Sequence, residues 1–263
     1  MASYPQIIPR PDDWRMGVPG PWEALRPEDR RGLGLDRVLT GLDGRGMSGP
    51  PPHTPSPRDD EIEVLDGLDL SGRLRSSAVL IALFEEDGEA RVLLTRRSTR
   101  LNNHRGEVSF PGGRVDVGES TTETALREAE EEVALDLARV EVVAHLHPIV
   151  TLASSSLIQP VVAVLDDRPV VVASPSEVER VFDVSLADLL VPGVFHEERW
   201  RRPERPYPKS ADGSFPLWFF EVSGEMIWGA TGRLLVDLLC ATLRLDLPGQ
   251  SGPTHDSGPP RSE

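Results

Sequence analysis

The sequence predicts an α/β layered sandwich built on a mixed β-sheet, and three observations carry that expectation. Two apolar runs flank a Glu-Glu-Asp-Gly-Glu turn in "SSAVLIALFEEDGEARVLLTRR", the pattern of a β-hairpin. Ser120 opens a Ser-Thr-Thr-Glu capping box that ends at Glu123, ahead of a helix expected to run to about Val133. Further apolar runs, "VEVVAHLHPIV", "LIQPVVAVL" and "RPVVVA", read as strands mingled with helical stretches rather than segregated from them.

Taken along the chain, residues 1–69 read as a Pro/Gly-rich N-terminal arm and linker. The stretch Gly44 to Asp60 is of low complexity and is expected to be disordered, while Trp14 and Trp22 offer anchors for the arm. The folded unit is expected over 70–247. Late in it, "PSEVERVFDVSLADLL" reads as helical or mixed and "GATGRLLVDLLCATLRL" as a long amphipathic helix. Residues 248–263 read as a frayed tail.

Composition narrows the function. A chain that is 38% hydrophobic and 27% charged can bury a core, and its formal charge of −15 argues against general adhesion to nucleic acid or anionic membrane. The single cysteine, Cys240, excludes an intrachain disulfide and fits a reducing compartment; its leucine-rich surroundings mark a buried thiol. No apolar run is long enough to span a bilayer, and the first residues do not resemble a signal peptide, so a cytoplasmic protein is expected.

The chemistry concentrates in "GEVSFPGGRVDVGES" and "TALREAEEEVAL". At about 100° per residue, Ala125, Leu126, Ala129 and Val133 share one helix face, which must be buried. Glu128, Glu131 and Glu132 share another, expected to stand toward solvent, with Glu130 pointing away from both. Arg127 lies four residues before Glu131, where it can orient a carboxylate. Crowded carboxylates oppose helix formation unless solvent or a cation relieves them. Gly112 and Gly113 allow a close backbone approach, so that a carbonyl there could join the carboxylates around a hard cation such as Mg²⁺. Glu119 is placed to brace the loop.

Gly113, Glu119, Arg127, Glu128, Glu131 and Glu132 resemble, position by position, the Nudix box G-x5-E-x7-R-E-U-x-E-E-x-G-U. Ala129 and Ala134 depart from it; the second replaces a glycine and implies a slightly different helix exit. The resemblance implies an α/β/α sandwich and a Mg²⁺- or Mn²⁺-dependent hydrolase of a nucleoside diphosphate linked to another moiety. Upstream, "LLTRRSTRLNNHRGEVSFPGG" is similar to the signature of the coenzyme A diphosphatase branch, and the likeness covers about residues 75–245. It implies coenzyme A or a derivative as substrate, with 3′,5′-ADP and 4′-phosphopantetheine as products.

Arg96, Arg97, Arg100, Arg105, Arg114 and His104 form a basic island against one acid, Glu107, in an acidic chain. Arginine forks suit phosphate oxygens, so Arg97, His104 and Arg105 are the candidate substrate contacts. Gly113, Glu128, Glu131 and Glu132 are the candidate metal ligands, with Arg127, Glu128 and Glu131 the candidate catalytic groups. Glu128, Glu131 and the loop acid Glu177 are alternatives for the general base. The rival readings are a Nudix hydrolase of another nucleotide and a non-catalytic Nudix sensor. Neither nucleic acid nor membrane is an expected partner, and a homodimer is allowed.

Overall fold

The structure is a computed structural model that describes residues 6–45, 47–48, 74–101, 103–151, 155–201, 210 and 212–247. Most of the Gly44 to Asp60 stretch and the tail from Pro248 therefore lie outside the described residues.

Strands β2 (Arg75–Glu86) and β3 (Glu89–Arg97) form the expected hairpin. Asp87 and Gly88 take φ of +55° and +76°, the left-handed pair that a two-residue turn needs to match strand twist. Strand β8 (Ser156–Leu165) lies parallel to β2, and β6 (Val140–His145) is antiparallel to β8. The short strands β4 (Val108–Ser109), β5 (Gly112–Arg114) and β7 (Ile149–Thr151), with β9 (Val178–Ser185), complete an eight-stranded mixed sheet.

Both faces of this sheet are covered. Helix α2 (Thr121–Val133) sets Ala125, Ala129 and Val133 against Ala78, Leu80, Ala82 and Phe84 of β2. Leu126 is only partly buried beside them. On the other face, α1 (Leu35–Asp43) and α3 (Gly229–Leu243) share a core with Ile81, Leu83, Val92 and Leu94. The molecule is the α/β/α sandwich with a mixed sheet that the sequence predicts.

Three segments differ from expectation. The "RPVVVA" run is not a strand: it is an extended segment past the end of α2, where Val172 N–H donates to the Val133 carbonyl at 2.9 Å and leaves Val170 and Val172 exposed. "PSEVERVFDVSLADLL" resolves into β9 and a short 3₁₀ turn at Asp188–Leu190, because Phe182 and Val184 alternate at strand period against the edge of β3. Helix α3 is not amphipathic in effect, being buried on nearly all sides. Cys240 is fully buried on it, and burial pushes its thiol up to about 12.

A second sheet was not foreseen. Strands β1 (Trp14–Met16), β10 (Phe195–Arg201), β11 (Ser214–Val222) and β12 (Glu225–Trp228) form a four-stranded antiparallel sheet. Its inner face adds Trp218, Phe220 and Ile227 to the α1–α3 core, while Trp200, Phe219 and Met226 cluster outside with Ile8. The arm is woven into this assembly. Trp22 is 1% exposed, with its ring 5.0 Å from Phe195, and Leu33, Val38 and Leu42 are buried in the same core. Trp14 is a weaker anchor, partly exposed on β1 with the Arg10 guanidinium 4.4 Å above its ring. Arg10 also holds Glu198, its Nε donating at 2.9 Å. The packed unit thus begins well before residue 70.

Helices α1 and α3 cross closely at Gly41, where an added Cβ would lie 2.4 Å from the Ala241 carbonyl oxygen. Backbone cannot yield there as a side-chain tip can. Gly41→Ala is expected to cost about 1–3 kcal/mol, read as a lower denaturant midpoint with an unchanged slope. An unchanged midpoint would mean that the crossing is looser than described.

Candidate functional site

Strand β5 pairs with β2, Ala78 opposite Gly113 and Val79 opposite Gly112. The approach is so close that a Cβ on Gly112 would lie 2.3 Å from the Ala78 carbonyl oxygen. From β5 the chain turns into α2 through the predicted capping box. Ser120 Oγ accepts from Glu123 N–H at 3.2 Å, and the Glu123 carboxylate accepts from Ser120 N–H at 2.8 Å. At the far end Ala134 takes φ of +52°, so the exit keeps the left-handed turn a glycine would make, and the expectation of a different exit is not met.

Arg127 is the hub of the acidic face. Its Nε donates to Glu119 Oε1 at 2.8 Å and its Nη2 to Glu119 Oε2 at 3.0 Å, a two-point fork. Nη1 reaches Glu128 at 3.0 Å and Glu131 at 3.2 Å. Arg127 and Thr124 together hold the Glu119 carboxyl down to about 2. Glu119 also accepts from Asp116 N–H at 3.4 Å, so it braces the loop as the sequence suggests.

The three carboxylates of the helix part company. Glu131 stands toward solvent beside Arg127, and Glu130 is exposed as expected. Glu128 is mostly buried and nests on Gly113, where an added Cβ would lie 2.2 Å from its Oε1. Glu132 is 3% exposed, which corrects the expectation that this face is solvent-side. Its Oε2 accepts from Gly112 N–H at 3.3 Å, and Arg97 Nη1 lies 3.7 Å from its Oε1. Burial raises the Glu132 carboxyl to about 7, with Arg97 opposing the rise. Burial also raises Glu128, against the pull of Arg127.

The segment after β8 closes over this pair. Ser174 N–H donates to the Glu132 carbonyl at 2.8 Å and Ser98 N–H to the Glu177 carbonyl at 2.7 Å, which brings the exposed Glu177 near enough to raise both Glu128 and Glu132. The sequence brings out Glu177 only as a loop acid; its approach to the helix depends on the register of β9. Arg97 joins the carboxylates. His104 and Arg105 do not: they lie exposed on the β3–β4 loop, where His104 Nδ1 is 2.9 Å from Glu107 and is raised by it, and Arg105 Nε donates to the Leu101 carbonyl. The Gly112 N–H is a contact the sequence reading missed; the double glycine was its signal.

These donors suit a hard divalent cation. Two desolvated carboxylates, i and i+4 on one helix, face the backbone of a glycine pair, and a neighbouring positive charge lowers their mutual cost. Among the described residues, no three His, Cys, Asp or Glu side chains gather around one point, so the fit rests on Glu128, Glu132 and backbone oxygen.

The family profile described as NUDIX domain matches residues 74–208. Nudix hydrolase 3 of Caenorhabditis elegans is 35% identical over 166 residues, covering 60% of this chain and 69% of that protein. Nudix hydrolase 15, mitochondrial, of Arabidopsis thaliana is 38% identical over 170 residues, 62% of this chain; the chain spans only 56% of that relative's length. Among solved structures, a C. elegans Ap4A hydrolase binary complex is 22% identical, with a TM-score of 0.38 over 44% of this chain and 82% of that one.

Proposed function

The chain belongs to the NUDIX domain family, and from that membership we propose that it is a divalent-metal-dependent hydrolase of the diphosphate linkage in coenzyme A or its derivatives. The products are 3′,5′-ADP and 4′-phosphopantetheine or its acyl form. The observation that carries the hydrolase reading is the desolvated Glu128–Glu132 pair set against the Gly112–Gly113 backbone. The substrate reading rests on the Leu93 to Gly113 signature and its cluster of arginines.

Glu128, Glu132 and the Gly113 carbonyl are the groups that would hold Mg²⁺ or Mn²⁺. Bound there, the ion supplies Lewis acidity toward a phosphoryl oxygen and lowers the pKa of a water. The protein's part is positional. Arg127 fixes Glu128 and ties it through Glu119 to the loop, so the carboxylate holds its place without reorganising. Glu131, exposed and hydrogen-bonded to Arg127, would be a further carboxylate available to the ion. Glu177, near the pair on a separate loop, is the choice for general base, since Glu128 and Glu132 would be committed to the ion. Arg97, beside Glu132, would contact the diphosphate, and His104 and Arg105, exposed on the β3–β4 loop, would offer donors to a further phosphate.

A product-resolved assay tests this reading. The purified protein incubated with coenzyme A and Mg²⁺ is expected to release 3′,5′-ADP, and EDTA is expected to stop it reversibly. Cleavage of a different nucleoside diphosphate derivative with coenzyme A untouched would leave a Nudix hydrolase of other specificity. No hydrolysis of any such substrate, with Mg²⁺ bound, would favour the sensor reading.

A further inference from the structure

Neighbouring arginines on β3 meet different fates. The β3–β9 register shifts between Arg96 and Arg97, so that Arg96 faces Arg180 while Arg97 faces Val178 and skips Glu179. Arg96 turns to the buried Glu225, its Nη1 2.6 Å from Oε1. Arg97 turns to the α2 face and Glu132. The two clamps of this site differ in kind: Arg127 grips Glu119 through two hydrogen bonds of 2.8 and 3.0 Å. Arg97 approaches Glu132 only to 3.7 Å, beyond hydrogen-bond length, and its Nε is buried with no hydrogen-bond partner among the described residues.

The Nε of Arg96 is likewise without a partner, but its Nη1 hydrogen-bonds Glu225, whereas Arg97 makes no such bond among the described residues. Arg97 sits beside a buried carboxylate, held by charge alone, with donor capacity unspent. Glu128 and Glu177 add negative charge around the same point, and Arg127 is committed elsewhere. We infer that Arg97 is a resident counter-ion that occupies the charge position of the divalent cation at Glu132 and must give way when the cation arrives. This rests on the metal site proposed above. Its consequence is opposite in sign to that of a scaffold residue: removing Arg97 removes a competing positive charge, so metal binding tightens.

The test is Mn²⁺ binding to the full chain without substrate, followed by calorimetry or by the electron paramagnetic resonance of free Mn²⁺. Arg97→Gln is expected to bind Mn²⁺ roughly five- to tenfold more tightly than wild type, the scale of one partly screened unit charge a few ångströms away. Arg97→Lys, which keeps the charge, is expected to stay within about twofold of wild type on the same grounds. Should the Gln variant not fold, as judged by its melt in EDTA, Arg97→Met keeps the apolar stem and carries the same expectation. Equal or weaker Mn²⁺ binding in a folded, uncharged variant overturns the inference while leaving the metal site standing. A wild type that binds no Mn²⁺ overturns both.

Discussion

Glu132→Gln is expected to lower metal-dependent turnover by roughly 10²–10³-fold, the loss of several kcal/mol of transition-state stabilisation. The fold should survive, because the amide keeps the shape of the carboxylate and can still accept from Gly112 N–H. Stability without metal should move the other way. Burial holds the Glu132 carboxyl at about 7, well above the ordinary glutamate range. A group whose folded value is raised stabilises fully below its unfolded value and loses that contribution as pH rises through the folded one. Wild type in EDTA should therefore weaken between about pH 5 and 8, by at most about 3 kcal/mol, while the Gln variant has no proton to lose there. Parallel melts at several pH values in EDTA, with turnover at saturating Mg²⁺, check both halves. Near wild-type turnover would remove Glu132 from the metal site.

The glycine pair should separate stability from activity. At Gly112 a methyl group would meet the Ala78 carbonyl oxygen at 2.3 Å and Val79 Cα at 2.7 Å, both backbone atoms of the central hairpin. Gly112→Ala is therefore expected to cost about 3 kcal/mol or more, at the upper end of overpacking. At Gly113 the atoms nearest the methyl all belong to the Glu128 carboxylate, the closest at 2.2 Å. That flexible tip can move aside, so Gly113→Ala should melt within a few degrees of wild type yet lose most of its turnover. Equal effects of the two substitutions on the melt would show that β5 does not lie on β2 as described.

How legible was this in the sequence? The helix and its loop were, because cap, apolar stripe and carboxylate spacing are all local: Ser120, Glu123, Ala129 and Arg127 lie where their order along the chain places them. The β2–β3 hairpin was legible for the same reason, its Asp-Gly turn lying between two apolar runs. The burial of Glu132 was not. A helical wheel gives direction but not cover, and the cover comes from Arg97, Gly112 and the segment around Ser174, each distant in sequence. The second sheet escaped because its first strand, Trp14–Met16, has three residues and joins its partner from the other end of the chain. "RPVVVA" misled because a β-branched run predicts extended backbone and says nothing of whether an edge is free to receive it.

The arm's fastenings bear on how the chain is made. Gln6 reaches the Met226 carbonyl, Arg10 reaches Glu198, and Arg45 Nη2 donates to the Cys240 carbonyl at 3.2 Å, spans of 220, 188 and 195 residues. A ribosome adding about 5–20 residues per second needs roughly ten to forty seconds to cover such a span. Through that interval Trp22, Leu33 and Leu42 have left the ribosome while Phe195, Phe220 and most of their other eventual neighbours do not yet exist. The arm, made well before its partners, is thus among the last parts of this fold to find its place. Its apolar side chains must stay soluble or be sheltered until β10 to α3 emerge to receive them.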